Sequence, residues 1–492
     1  MTLSSSQSAP HARVAGLVRR ILALGLVFGC IGLHAQTDPG VRGGTSGAGQ
    51  TPQMLPGLSD LQKQNFSDGL MNFTTVRTLK GDATTQEGLG PRFNSNSCGS
   101  CHSQPAIGGS SPVPNPQFLV ATATKNAPPF FVTPNGPVRE ARFKRVVQNG
   151  GSNRGFGFFR GGGGGTPDGG VHDLFTIAGI AGMGTAPGPD GTTPQTCTLA
   201  QPDFLAAQSE NNLSLRIPTP VFGLGLVESI SDATILANQA ANPAAKQAFR
   251  IAGHPNRNGN DGTITKFGWK AQNATALLFA GEAYSVEMGV SNEIFSVERA
   301  NPGETLPATC LFNPMPEDAT GAGDNTGSSD IQQFATFMEF LAPPNPVSSF
   351  TTAANVVVPP SSISNGMAVF STIGCALCHT PTLSATASHF VTPIPSAGSA
   401  VNLFSDLLVH NMGDALADGI SQGLAGPSEF RTAPLWGLGQ RIFFLHDGRT
   451  MDLVQVIQLH GDSESEARVA VEQFNGQNAG AKQDLLNFLR SL

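Results

Sequence analysis

Cys98-Gly99-Ser100-Cys101-His102 and Cys375-Ala376-Leu377-Cys378-His379 are two copies of one pattern: a pair of thiols two residues apart, with a histidine directly after the second. That spacing lets two thiols add to the two vinyl groups of one haem while the adjacent imidazole reaches the iron from one face. The pattern therefore reads as attachment of two covalent haem c groups, with His102 and His379 as iron ligands. A shared zinc site or a pair of redox dithiols would use the same thiols. Neither accounts for a histidine in both copies, and a zinc ribbon keeps its Cys pairs about 15 to 20 residues apart. Cys101 and Cys375 are separated by hundreds.

The start of the chain agrees with this chemistry. Arg13, Arg19 and Arg20 precede an apolar run from Ile21 to Leu33, closed by Leu33-His34-Ala35, so residues 1–35 read as a signal peptide cut near Ala35. Cys30 offers a lipoprotein alternative, opposed by the apolar residues that continue beyond it. No later stretch is long and apolar enough to span a bilayer, and a periplasmic or secreted protein without a transmembrane segment is expected. In that oxidising setting Cys197 and Cys310, the cysteines left over, are expected to pair.

With 492 residues the chain is long enough for two cores. The 59 Gly and 36 Pro signal long connections, and a net charge of -7 gives no footprint for nucleic acid. That charge would favour a basic redox partner.

The fold class expected is mainly α: two cytochrome c-like haem domains, the first with long loops and some β additions. A flexible leader is expected over 36–57, an N-terminal haem domain over 58–342, a linker over 343–362 and a C-terminal domain over 363–492. Ser59 and Asp60 can cap a helix bearing Leu61, Phe66, Leu70 and Phe73 at helical spacing. Before the second motif Ser364 is the cap candidate, with Met367, Phe370 and Ile373 on one side. Helices are also read over 331–341 and at the C-terminus around Leu485, Leu486, Phe488 and Leu489, and short strands over 138–147 and 172–177. The run Gly161–Gly165 has no phosphate-loop context and reads as a surface loop.

Arg216-Ile217-Pro218-Thr219-Pro220-Val221-Phe222-Gly223-Leu224-Gly225 is echoed by Arg431-Thr432-Ala433-Pro434-Leu435-Trp436-Gly437-Leu438-Gly439. Each block follows one haem motif. Arginine pairs with carboxylate as a fork, which suits a haem propionate; two unrelated turns are the alternative.

At this point the chain resembles the bacterial di-haem cytochrome c peroxidases and, more closely, the di-haem oxidoreductases labelled thiol oxidoreductases or peroxidases. The resemblance covers residues 58 to 492. It rests on Gly88-Leu89-Gly90-Pro91 with Phe93, on 216–225, Phe267-Gly268-Trp269-Lys270-Ala271-Gln272, Glu287-Met288-Gly289, 406–413, 430–439 and Phe444-Leu445-His446-Asp447-Gly448-Arg449.

The resemblance implies that Glu287 moves protons at the N-terminal haem during peroxide cleavage, and that Trp269 relays electrons between the haems. It also implies a second ligand for the C-terminal iron fourteen residues after His446, at His460. Met412 is the runner-up. A histidine there would give a lower-potential haem than methionine. For the N-terminal iron His172 is a weak candidate. Arg431, Arg441 and Arg449 are expected to neutralise propionates, and His410 and His446 to donate hydrogen bonds near the C-terminal haem.

The function expected is electron transfer from the C-terminal haem to an N-terminal haem that reduces a small oxidant such as hydrogen peroxide. The donor would be a small redox protein of cytochrome or cupredoxin type. The alternatives are a pure electron carrier with both irons six-coordinate, and an exported binding protein without haem.

Overall fold

A computed structural model describes residues 36–43, 51–78, 88–123, 127–146, 199, 201–300, 305–311, 313–320, 327–386 and 398–492, with four isolated dipeptide strands between 166 and 195. The expected signal peptide with Cys30, the Gly161–Gly165 run, His172 and Cys197 lie outside the described residues.

Thirteen α-helices among the described residues do most of the packing, and every β-pairing is two-stranded. Six helices matter here: α1 (Asp60–Thr74), α2 (Ala276–Glu287), α3 (Asp330–Phe340), α4 (Pro360–Thr372), α5 (Leu453–Leu459) and α6 (Ala479–Ser491). At the start of α1 the Ser59 hydroxyl accepts from the Gln62 N–H while Gln62 Oε1 accepts from the Ser59 N–H, which satisfies two donors the helix would leave bare. Phe66 and Phe73 face inward, whereas Leu61 is exposed. The second of these starts differs from expectation. α4 begins at Pro360, with Ser364 inside the helix donating back to Ser361 O, because proline at the first position costs no hydrogen bond and has its φ already set.

Each haem motif is preceded by a helix that crosses the closing helix of its half, and a glycine sits at each crossing. A Cβ at Gly69 of α1 would stand 2.4 Å from Gln333 O of α3, and one at Gly366 of α4 would stand 2.0 Å from Asp484 O of α6. No larger residue fits either contact. The same construction therefore occurs twice in the chain. The echo between 216–225 and 431–439 is structural as well. Leu213–Arg216 pairs with Glu140–Phe143, and Glu429–Arg431 with Val409–Asn411. After each arginine the chain turns through a left-handed glycine, Gly223 or Gly437, into a short helical segment.

Two hydrophobic cores result. The larger runs from Leu58 to Leu341 and also takes in Leu383, Val401 and Leu407 from beyond the expected boundary. The second gathers Phe370, Phe404, Phe444, Phe474, Leu485 and Phe488. The stretch 343–362 carries a small hairpin, Phe350–Thr351 against Val357–Val358, and the described residues between 36 and 492 form one compact unit.

The leader expected over 36–57 is tied down where it is described. Asp38 accepts from Arg490 Nε and Nη2, both at 2.7 Å, and Arg42 donates to the carbonyls of Arg490 and Leu492. No helix among the described residues is long and apolar enough to cross a membrane.

Candidate functional site

The second haem motif opens a cavity of about 230 Å³ lined by Cys375, Cys378, His379 and His460, with apolar walls such as Phe444 and Leu489. His379 Nδ1 lies 3.0 Å from Phe404 O and His460 Nδ1 lies 2.8 Å from Val456 O. A carbonyl can only accept, so each Nδ1 carries the proton and each Nε2 keeps its lone pair. Burial pushes His379 down to about 4 and lowers His460 too. Two neutral imidazoles with bare Nε2 atoms on one cavity are a suitable donor set for haem iron. His460 owes its place to α5, which it closes as the C-cap residue. Met412 lines the same cavity.

The first motif lines a narrower cavity of about 60 Å³ with Tyr284, Glu287, Met288 and Met338. His102 Nδ1 donates to Gly109 O at 3.2 Å, with the Thr219 carbonyl also in reach, and burial pushes this imidazole down to about 4. Glu287 ends α2. Two sequence blocks meet here: the Gly90 N–H donates to Met288 O at 2.9 Å, and a Cβ at Gly90 would stand 2.0 Å from Gly289 O. That backbone contact fixes the end of α2 and with it the Glu287 carboxyl. Burial raises the Glu287 pKa well above the usual carboxylate range, and a hydrogen bond to Glu140 raises it further, against the pull of Arg142 and Asn94. Glu140 in turn accepts from Arg142.

The two motifs line separate cavities, so their thiols do not converge on one metal. Burial pushes Cys98, Cys101 and Cys375 up to about 12, far from the reactive thiolates that dithiol exchange requires.

Between the cavities lies a third of about 40 Å³, lined by Trp269, Phe279, Arg431 and Arg441. Trp269, Arg431 and Arg441 also line the large cavity, and Phe279 also lines the N-terminal one. Trp269 is held by Nε1–H donating to Ile217 O at 2.9 Å and by the Arg431 N–H donating to its carbonyl. Arg441 Nε and Nη2 are buried without a hydrogen-bond partner. No carboxylate lies within ion-pair distance of Arg431 or Arg441 among the described residues, and burial pushes both down to about 10. Two buried guanidinium groups without counter-charge call for an anion, and haem propionates would supply it. The residues present fit the group.

Other expected residues fall elsewhere. Arg449 is absent from all three cavities. It pairs with Asp447 and donates to Ala415 O, so its charge is already answered. Arg216 is likewise spent on Asp418 and on Gln422 Oε1. His410 lines the large cavity, where Asp406 and Glu466 hold both ring nitrogens. It is a buried cation beside Cys378 and has no lone pair to offer a metal. His446 stacks on Phe430, centroids 4.4 Å apart, edge-on to Trp269. Cys310 is disulfide-bonded. Tyr284 and Glu140 went unread in the sequence, because neither stands in a motif and only the fold brings Tyr284 to the N-terminal cavity and Glu140 to the Glu287 carboxyl.

A comparison with curated proteins gives no match. Among solved structures, a chain of hydrazine synthase from Kuenenia stuttgartiensis, pressurized with xenon, is 16% identical over 34% of this chain, with a TM-score of 0.21; the match spans 57% of that chain's length. Residues 203–492 match the family described as "Di-haem oxidoreductase, putative peroxidase". The chain belongs to the di-haem oxidoreductase family.

Proposed function

We propose that this protein is an exported di-haem c-type cytochrome that passes electrons from a C-terminal haem to an N-terminal haem, where a small oxidant such as hydrogen peroxide is reduced. One observation carries the reading: Trp269, Arg431 and Arg441 are shared by the C-terminal cavity and the middle one, and Phe279 by the middle one and the N-terminal one, where Glu287 stands. The repeated helix crossing supports two cytochrome c-like halves. Cys98 with Cys101, and Cys375 with Cys378, hold the haems as thioethers. His102 and His379 would each hold one iron, and His460 would be the second ligand of the C-terminal one. The haems, once bound, would supply the redox chemistry. Arg431 and Arg441 would hold propionates at the wall shared by the C-terminal and middle cavities, beside Trp269, while Glu287 would hold a proton for delivery to the oxidant. A small cytochrome or cupredoxin is the donor.

The test is an optical titration of the purified holoprotein with hydrogen peroxide after partial reduction. The N-terminal haem spectrum should change while the C-terminal one stays low-spin. Two low-spin haems that never respond, in either redox state, would sink the reading. They would favour a pure electron carrier, for which Met288 and Met338 on the N-terminal cavity offer thioether ligands.

The C-terminal ligand has its own check. His460→Ala should convert that haem to high-spin and Met412→Ala should leave it low-spin, because the His460 imidazole is held by the Val456 carbonyl with its Nε2 lone pair free. The reverse pattern, read by absorption and electron paramagnetic resonance, would assign the iron to Met412.

A further inference from the structure

The chain has 31 phenylalanines and one tyrosine. That tyrosine, Tyr284 on α2, is 1% exposed and lines the N-terminal cavity with Cys98, Cys101 and His102. Its hydroxyl donates to Asp330 Oδ2 at 2.7 Å, and its ring meets Phe334 edge-on at 5.1 Å. Asp330, the first residue of α3, is itself held by Arg77 and by Asn72 Nδ2. A phenol that loses an electron becomes a strong acid, so it is oxidised readily only where a base already receives its proton. The Asp330 carboxylate is such a base. Burial, with Asp330 second, also keeps the phenol far from ionising by itself, so its proton leaves only together with the electron.

We infer that Tyr284 is a redox-active residue that gives one electron to the N-terminal haem site while its hydroxyl proton passes to Asp330, storing one of a peroxide's two oxidising equivalents. The inference rests on the peroxide reading above. Reduction of one peroxide to two waters takes two electrons and two protons: one electron would come from the iron and one from Tyr284, and the protons from Glu287 and solvent. The phenol O–H bond breaks as its electron leaves, the proton moves to Asp330 Oδ2, and one electron from the C-terminal haem returns to Tyr284 together with that proton while a second restores the iron.

The experiment is freeze-quench electron paramagnetic resonance, with the Soret band followed in parallel, on the full holoprotein mixed with one equivalent of hydrogen peroxide. Wild type should give a tyrosyl signal. Tyr284→Phe, which keeps the ring packing, should still show a Soret change, altered in course because the second electron must come from elsewhere, but no tyrosyl signal. Asp330→Asn should lower the tyrosyl yield while a Soret change persists. As no other tyrosine exists, any tyrosyl signal belongs to residue 284. A Soret change with no radical, or with a tryptophanyl radical in its place, overturns the inference and leaves the peroxide reading standing. No Soret change at all overturns both.

Discussion

Glu287→Gln is expected to slow peroxide reduction by a factor of about 10²–10⁴, the range for loss of a positioned proton donor, with both haems still attached. Glutamine keeps the shape at the end of α2 but cannot carry the proton. The hydrogen bond between the Glu287 and Glu140 carboxyls requires a proton between them, and burial followed by the Glu140 charge favours the protonated form of Glu287. The pH dependence follows in sign. A carboxyl whose pKa is raised is active as an acid below that value and loses its proton as pH rises through it, so the wild-type rate should fall on the alkaline side. In Glu287→Gln that fall should vanish. Glu140→Gln removes the neighbouring charge and should move it to lower pH. Stopped-flow rates across pH provide the measurement; an unchanged rate and profile in Glu287→Gln would exclude the residue from proton transfer.

What the sequence discloses here is what sits close together along the chain. Two thiols and a histidine within five residues state their chemistry before any folding. Ser59 with Gln62, three apart, likewise announces the start of α1. The resemblance, carried over residue by residue, points to Trp269, Glu287 and His460, and these line the cavities. Arginines were harder to read, because a guanidinium takes whichever carboxylate the fold brings near. Arg431 and Arg441 meet none and remain for propionates, whereas Arg216 meets Asp418, more than 200 residues later, and Arg449 meets Asp447, two residues before it. Only that last pair is local; for the other three arginines nothing in the flanking residues distinguishes the cases. The pairing of Tyr284 with Asp330 and the Asp38 clasp were invisible for the same reason: each joins residues that have no local pattern and become neighbours only through helix packing.

Asp38→Ala should destabilise the folded protein by about 3–5 kcal/mol, the cost of leaving one member of a buried ion pair without its partner. The Arg490 side chain is 1% exposed and that of Asp38 7%, so water cannot take the place of the lost carboxylate. The same carboxylate accepts from the Leu453 N–H at 2.8 Å and the Gly40 N–H at 3.0 Å. Leu453 is the first residue of α5, where an anion also meets the positive end of the helix dipole, and α5 ends at His460. The clasp thus bears on the element that carries His460, the proposed second iron ligand. Burial alone would raise the Asp38 pKa, but the hydrogen bonds and charge of Arg490, with the two backbone N–H groups, outweigh it and bring it below the ordinary value. A depressed carboxylate contributes its stability above the unfolded-state value near about 3.9 and loses it as pH falls through the folded one. Urea midpoints measured from neutral pH into that acid range should therefore fall for the wild type and stay flatter for Asp38→Ala. The variant's C-terminal haem should lose its low-spin spectrum at lower urea than its N-terminal haem responds. Equal midpoints for the two proteins at neutral pH would show that Arg490 finds another counter-charge and that the N-terminal segment does not brace α5.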